Sequence, residues 1–451
     1  VKEANNIDDS SYSRRDGLII FLIYISIFIN SKVLFKKPFE FYIGYFIYLF
    51  LLPVFIPRYG FNKKLLLIFL TLLFSGVLST ILGHNTFGQF LKIFLGVIMS
   101  YLFYDYVYKE FDFKIKKLFQ WYLIGCYYAA VIGIIQFISY QLNFEPGYNY
   151  RWLLNKWSVV TGGNFGIRVN SIFGEPTYLA AVLSASFFVS LYNLFQTEPV
   201  FISKLKSTVI IVVYILSFSG LGQIGIILTA IFLAINFGLI RYIFLAIPAF
   251  LLLFNVMYDN ISEFRDRYDS LIELFGGGEF KLGKTHGSSF VLYNNFVVAT
   301  ENFKLNPILG SGLGSHPVAF EKYSIAKDIK VHGFNLNSAD ANSMFLRLMS
   351  ETGLFGLTIF AVIIIKGYVK RDERYDTHHW LISNAILVMI LLNMFRQGHY
   401  FLNGFPFFVL MYIYNAFSYN KLLTGEKENF KEEDNISEPS PESTKEHPSA
   451  S

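Results

Sequence analysis

The chain has one cysteine, Cys126, and it lies inside an apolar run. An intrachain disulfide is therefore excluded, and so is a metal site built on cysteine. Charge is also scarce. Asp, Glu, Lys and Arg make up 16% of the 451 residues, against roughly 25% in an ordinary soluble domain. The basic excess is only +5, and the basic residues cluster between apolar runs. They read as membrane-topology signals, not as a footprint for nucleic acid. No internal repeat is visible. The polar start of the chain leads into an apolar run with no small-residue cleavage site after it, which reads as a retained first helix and not a cleaved signal peptide.

Apolar side chains are abundant: 53% of the chain is hydrophobic, with 50 Phe and 30 Tyr, and the mean hydropathy is +0.43. This predicts an all-α, polytopic membrane protein. About twelve segments approach the roughly 20 apolar residues that span a bilayer. They are Gly17–Asn30, Phe39–Ile56, Leu65–Leu82, Phe87–Val107, Phe119–Tyr140, Phe173–Phe195, Thr208–Ser219, Gln223–Leu239, Tyr242–Met257, Met344–Ile365, Trp380–Phe395 and Phe401–Phe417. Only Phe218-Ser219-Gly220-Leu221-Gly222 separates the seventh from the eighth, so two short helices and one kinked helix both fit.

With residues 1–16 inside, the inner side collects Arg14, Arg15, Arg58, Lys63, Lys64, Lys109, Lys114, Lys116, Lys117, Lys204, Lys206, Arg241, Lys366, Lys370, Arg371, Arg374 and Lys421. The short outer loops hold little beyond Lys32, Lys36, Lys37 and Arg396. That is the positive-inside pattern. Helices one to nine occupy residues 17–257, with an outer loop at 141–170. A second outer loop runs over 258–343, and helices ten to twelve occupy 344–420. Loops of that length are usually functional or disordered, and these hold Tyr148, Trp152, Trp157, Phe264, Tyr268, Phe290 and Tyr293. Residues 421–451, rich in Glu, Lys, Ser and Pro, read as a disordered cytoplasmic tail.

Four stretches place charge or glycine where apolar runs meet loops. The first runs from Arg168 through Glu175 to Pro176. An arginine reaching headgroups and a Glu-Pro helix start explain it without function. Its sharper reading has Arg168 binding phosphate through its planar fork, with Glu175 beside it. The second, from Glu301 through Asn306-Pro307-Ile308-Leu309-Gly310-Ser311-Gly312-Leu313-Gly314, follows a helical pattern over Phe290 to Phe303 and ends in a glycine-rich turn. No helix carrying Lys-Ser/Thr follows, so it is not a P-loop, and tight turning alone accounts for it. In the third, Asp340 to Ser343 caps a helix. Asn342 lies in this cap, Arg347 and Glu351 share a helix face and can pair, and Gly353 and Gly356 allow close packing. The fourth is Arg396-Gln397-Gly398-His399-Tyr400, either an interfacial anchor or a site with His399 as acid or base.

Taken in order, three motifs resemble the Wzy-type polysaccharide polymerase and O-antigen ligase superfamily. They are Arg-x-x-Ser-x-Phe-x-Glu-Pro at Arg168 to Pro176, the Asn-Pro-Ile-Leu-Gly-x-Gly-x-Gly turn at Asn306 to Gly314, and the Asn342 to Gly356 helix with its Glu-x-Gly-x-x-Gly. The resemblance covers about residues 15–420, and it implies a GT-C-like glycosyltransferase in the bacterial plasma (inner) membrane. Its active side is periplasmic or extracellular and both termini are cytoplasmic. Undecaprenyl-diphosphate-linked oligosaccharides are donor and acceptor. Membrane lipid and a chain-length regulator are further partners, nucleic acid is not, and no metal or other cofactor is used.

The resemblance gives Arg168 the donor diphosphate. A second arginine, usual some fifteen residues before the Asn-Pro-Ile-Leu-Gly turn, is missing. Arg265 or Arg267, or His286 with Lys281 and Lys284, stand as substitutes. Ala341 occupies the place of a histidine typical of the ligases, which favours a polymerase. Glu175, His332 and His399 are then the candidate bases. Arg396, Asn342, Arg347, Glu351 and Tyr400 complete the expected substrate-binding set. A ligase, and a transporter or flippase for the same lipid-linked sugars, are the alternative readings. Arg168→Ala is expected to abolish polymer at normal protein level, as seen by gel analysis of surface glycan beside an immunoblot. Full-length polymer from that variant would refute the assignment.

Overall fold

In the computed structural model a helix stands over each of the twelve apolar stretches. The structure describes residues 14–35, 40–260, 262–278, 285–326, 336–374 and 377–437. The helices in the first half are α1 (Arg14–Phe28), α2 (Ile43–Tyr59), α3 (Lys63–Ile81), α4 (Phe87–Glu110), α5 (Ile115–Gln141) and the short α6 (Glu145–Tyr148). There follow α7 (Pro176–Phe195), α8 (Lys204–Leu216), α9 (Gly220–Asn236), α10 (Ile243–Asn260), α11 (Ser262–Phe275), α12 (Gly287–Leu305) and α13 (His316–Tyr323). The last three are α14 (Met344–Gly367), α15 (Thr377–Arg396) and α16 (Phe405–Ser437). A hairpin of β1 (Val33–Phe35) and β2 (Phe41–Tyr42), antiparallel, links α1 to α2.

Among the described residues, α3, α4, α5, α7, α14 and α15 are long and apolar enough to cross a membrane. Shorter apolar helices cover Asp16–Phe28, Ile43–Tyr59 and Gly220–Asn236. The protein is thus an all-α membrane protein. Helix α7 is its central post and packs against α8, α9 and α15. Small residues along it (Ala180, Ala181, Ser184, Ala185, Ser186) are all buried and let its neighbours approach closely. Helix α3 instead turns Leu67, Phe74 and Ile81 outward, as a lipid-facing helix does.

Helix starts follow local chemistry. The Asn62 side chain accepts from the Lys64 N–H at 3.0 Å, Ser203 from Lys206 at 3.5 Å and Ser343 from Leu346 at 3.3 Å, each satisfying a first-turn donor that has no partner within the helix. The Ser217–Ser219 turn separates α8 from α9, so the seventh and eighth stretches are two helices and not one.

Three findings differ from the sequence reading. Residues 258–343 hold α11 and α13 as well as α12, which covers the helical pattern at Phe290–Phe303, with a small core of Leu274, Phe290, Ala326 and Leu336. Lys281, Lys284 and His332 lie outside the described residues. Helix α16 continues to Ser437, past the Lys421 boundary, through Lys- and Glu-rich sequence that lacks proline until Pro439. The remainder of the expected tail lies outside the described residues.

The third difference concerns Gly353. Its residue pair with Gly356 suggests helix packing, but Gly353 breaks α14, with φ 59° and ψ −153°. The Asn306–Gly314 turn enters that break. Leu354 N–H donates to Pro307 O at 2.8 Å, and Phe355 N–H to Ile308 O at 3.0 Å. In return Ser311 N–H donates to Ser350 O at 3.1 Å and Gly312 N–H to Glu351 O at 2.9 Å. Gly310 sits at φ 66°, and a Cβ there would lie 2.4 Å from the Glu351 carbonyl carbon and the Thr352 nitrogen. Gly310→Ala should therefore destabilise by roughly 1–3 kcal/mol or more, read as a lowered Tm of detergent-purified protein. Gly88→Ala, where a Cβ meets nothing within 4 Å, should leave Tm unchanged or slightly raised.

Candidate functional site

The broken α14 fixes a buried charge pair. Arg347 is 2% exposed and Glu351 is fully buried. The expected i,i+4 pair forms, with Arg347 Nε donating to Glu351 Oε1 at 3.0 Å. Two charges at such a depth need further partners. Tyr400 OH donates to Glu351 Oε2 at 3.0 Å, and the His316 N–H reaches Oε1 at 3.4 Å. Arg347 Nη1 donates to Gly398 O at 2.7 Å, and its guanidinium lies 4.3 Å from the centre of the Tyr400 ring. Arg347 Nη2 is buried with no hydrogen-bond partner.

The third and fourth sequence stretches therefore meet in space. A Cβ at Gly398 would fall 1.5 Å from Asp340 O, so only glycine lets the Arg396–Tyr400 segment lie against the start of α14. That approach brings His399 Nε2 to 2.8 Å from Asp340 Oδ2. Asp340 Oδ1 meanwhile accepts from Asn342 N–H at 3.0 Å and Asn337 Nδ2 at 3.3 Å. Burial opposes ionisation of Asp340. His399, the Asn342 N–H and Arg347 outweigh it and hold the carboxyl well below the usual carboxylate range.

These groups border a cavity of about 870 Å³ between the helix ends. Glu175, Arg347, Asp340, Asn342, Arg396 and His399 line it, with Lys92 of α4 and Lys156 of the 141–170 segment. Ile93, Phe290, Val291, Leu336 and Phe401 supply apolar wall. Glu175 is the N-cap of α7 and makes no side-chain cap bond. It is open to the cavity yet enclosed by protein. Burial pushes its carboxyl up, assisted by Asp340 and opposed by Lys156, Arg168 and His399. Lys156 is ion-paired to Glu40 and donates to Tyr42 OH at 2.7 Å. Tyr42 OH in turn donates to Glu40 at 2.6 Å.

A second chamber of about 280 Å³ shares the Tyr42, Lys156, Glu175 and Tyr178 wall. Its other groups are mostly neutral: Asn30, Ser31, Asn155, Ser158, Trp157 and Asn403. Asn30 Nδ2 donates to Asn403 Oδ1 at 2.9 Å across its wall. Among the described residues no three His, Cys, Asp or Glu side chains converge as a metal site requires.

Several expected residues stand apart. Arg168 is half-buried and outside the wall of the large cavity, although it acts on Glu175 electrostatically. Arg265 is exposed and acts on Tyr258 instead. Arg267 lies behind the rim, close enough to Arg396 to act on its charge. Glu351 and Tyr400 support Arg347 from behind the wall. Of the aromatic side chains of the 141–170 loop, Trp157 reaches the second chamber, with Nε1 donating to Ser171 O at 2.8 Å. Trp152 is 74% exposed, and Tyr148 packs edge-on to Tyr140.

Sequence reasoning missed Lys92, Lys156, Glu40, Tyr42, Tyr178 and His316. Lys92 carried one usable signal, a charge inside an apolar run. Compared with models of known protein families and with curated protein sequences, the chain matches none.

Removing one partner of the buried pair leaves an uncompensated charge. Glu351→Ala should cost about 3–5 kcal/mol, seen as a large drop in Tm. The double change Arg347→Met with Glu351→Leu should recover most of that loss, because it removes both charges. If the double variant is as unstable as Glu351→Ala, the pair is not what destabilises the single variant.

Proposed function

We propose that the chain is a Wzy-type polymerase, a GT-C-like enzyme with twelve membrane spans. It would lengthen polyprenyl-diphosphate-linked glycans at the outer face of the plasma membrane. One observation carries this reading. A single cavity at the helix ends gathers Lys92, Lys156, Arg347 and Arg396 together with Glu175 and the Asp340–His399 pair, against apolar walls. Fixed cations suit a lipid diphosphate leaving group, since they stabilise its charge as the bond breaks. The apolar wall suits the start of a polyprenyl chain. The adjoining amide- and hydroxyl-lined chamber suits sugar.

In the proposed step an acceptor hydroxyl oxygen attacks the anomeric carbon of the donor sugar. The bond from that carbon to the diphosphate oxygen breaks, and the configuration inverts. The electron pair leaves with the diphosphate, which stays lipid-linked. The hydroxyl proton passes to a base. His399 suits that role: a ring proton on Nε2, shared with Asp340, leaves the lone pair on Nδ1. Glu175 suits it equally by position, because its raised carboxyl lies on the wall between the two chambers. Arg168 then sits behind Glu175 and modulates its charge, a supporting place compared with the direct phosphate contact expected from the motif.

The decisive assay gives purified protein lipid-linked repeat units extracted from the source cells. Glycans longer than one repeat are expected. His399→Gln and Glu175→Gln, compared side by side, should identify the base by a roughly 10²–10⁴-fold loss in rate at unchanged binding of the lipid diphosphate. In cells, loss of the protein should leave single repeat units on their acceptor. Long polymer stranded on the lipid carrier would favour a ligase. Movement of the lipid across vesicles without lengthening would favour a flippase.

A further inference from the structure

A second polar site lies at the other end of the bundle. Helix α14 begins at the large cavity and ends at Gly367. Even with its break at Gly353, α14 is long and apolar enough to cross a membrane. Beyond Gly367 the chain runs extended against α16, and a cup of about 300 Å³ opens between them. Lys366, Lys370 and Arg371 line it with Tyr368, Tyr419 and Asn420.

The backbone that carries the cup's basic residues is held from behind by buried side chains. Gly367 lies so close to α16 that a Cβ there would meet the Tyr412 ring at 2.1 Å. Ser383 Oγ donates to Gly367 O at 2.9 Å and accepts from Val369 N–H at 2.9 Å. Asn384 Nδ2 donates to Val369 O at 3.0 Å, and Asn236 Oδ1 accepts from Arg371 N–H at 2.9 Å. Asn236 Nδ2 donates to Asn384 Oδ1 at 2.8 Å, which ties these amides together. These buried polar groups are thus committed to holding the backbone in place.

The charge of the cup is not balanced from within. Its carboxylate, Asp372, is turned to Arg374 at 2.7 Å. Arg371 pairs with the exposed Glu373 at 3.1 Å and stacks 4.2 Å from the Phe237 ring centre. Lys366 and Lys370 have no ion-pair partner among the described residues. Two uncommitted ammonium groups, an adjacent guanidinium and two tyrosines at a membrane face form an anion site of headgroup size. Other cations at this end, such as Lys204 and Lys206, begin α8 and line no such cup.

We propose that this cup binds the phosphodiester headgroup of an anionic phospholipid. The same chemistry would accept a free phosphate ion, so the experiment separates the two. It rests on membrane embedding alone and is independent of glycosyl transfer. Full-length protein is placed in nanodiscs of phosphatidylcholine with a minor share of phosphatidylglycerol, and lipid retained after release is read by native mass spectrometry. Phosphatidylglycerol should be retained in preference, and Lys366→Gln with Lys370→Gln should reduce that preference roughly tenfold or more. Lys204→Gln with Lys206→Gln should leave it intact. All three proteins should elute as one species, and the Lys366/Lys370 variant should keep the parent Tm, since both lysines are exposed. Equal retention in the Lys366/Lys370 variant, or an equal fall in the Lys204/Lys206 control, overturns the proposal. Inorganic phosphate that raises Tm in neutral detergent and displaces phosphatidylglycerol at millimolar concentration would assign the cup to free phosphate and overturn the lipid.

Discussion

The insertion of the Asn306–Gly314 turn into the break at Gly353 is the constraint on which the candidate site depends. A straight α14 would satisfy its own backbone and close the groove that admits the turn. The break frees Leu354 and Phe355 N–H groups, and the turn's carbonyls take them. Buried backbone donors must find such partners, so turn and helix need each other. Gly310 and Gly353 both hold positive φ with backbone pressed against them, and a side chain at either would drive the two segments apart. This junction sets the position of Glu351, hence Arg347, hence the part of the cavity wall that Arg347 forms.

A buried ion pair is weak support for stability, because desolvation offsets much of the attraction. Here Glu351 accepts from Arg347, Tyr400 and the His316 backbone, while Arg347 spends Nη1 on Gly398 O. The pair is thus less a source of stability than a clamp that joins α14 to the α15–α16 connection. That clamp sets the His399 backbone beside Asp340. Three segments far apart in sequence acquire a common geometry through one carboxylate. The unpaired Nη2 then stands out: everything else on Arg347 and Glu351 is satisfied, so a buried donor without a partner beside a cavity fits a ligand that supplies the missing acceptor.

Much of the helical plan was legible because hydrophobic length survives in any membrane fold: a stretch of apolar residues near bilayer thickness has few other uses. The Arg347–Glu351 pair was legible too, since helical spacing alone places them together. Lys92, Lys156 and Glu40 were not. Each is a single charge without a motif, and its meaning comes from neighbours supplied by other elements. Within 258–343 the helical pattern at Phe290–Phe303 was legible and is α12, but α11 and α13 were not. Helix α11 is amphipathic and rich in charge, and α13 has only 8 residues, so neither stands out beside the membrane runs. Gly353 shows the sharpest failure. A glycine pair at small-residue spacing reads as packing, and only the inserted turn reveals that one of them is a break.

The placement of Arg168 follows from the same physics. An arginine near a membrane boundary is expected to bind phosphate because its charge is costly there without a partner. The structure satisfies the cost differently. Arg168 is half-buried outside the large cavity and acts on Glu175, and the cations that reach the cavity are Lys92, Lys156, Arg347 and Arg396. Glu175 belongs to both chambers, so its charge links them. An anion entering the large cavity would disfavour ionisation of Glu175, while the cations around it would lower the cost. Lys156 lies on the same shared wall, so a change of charge on Glu175 is felt in both chambers. By position it is Glu175, and not Arg168, that lines both chambers.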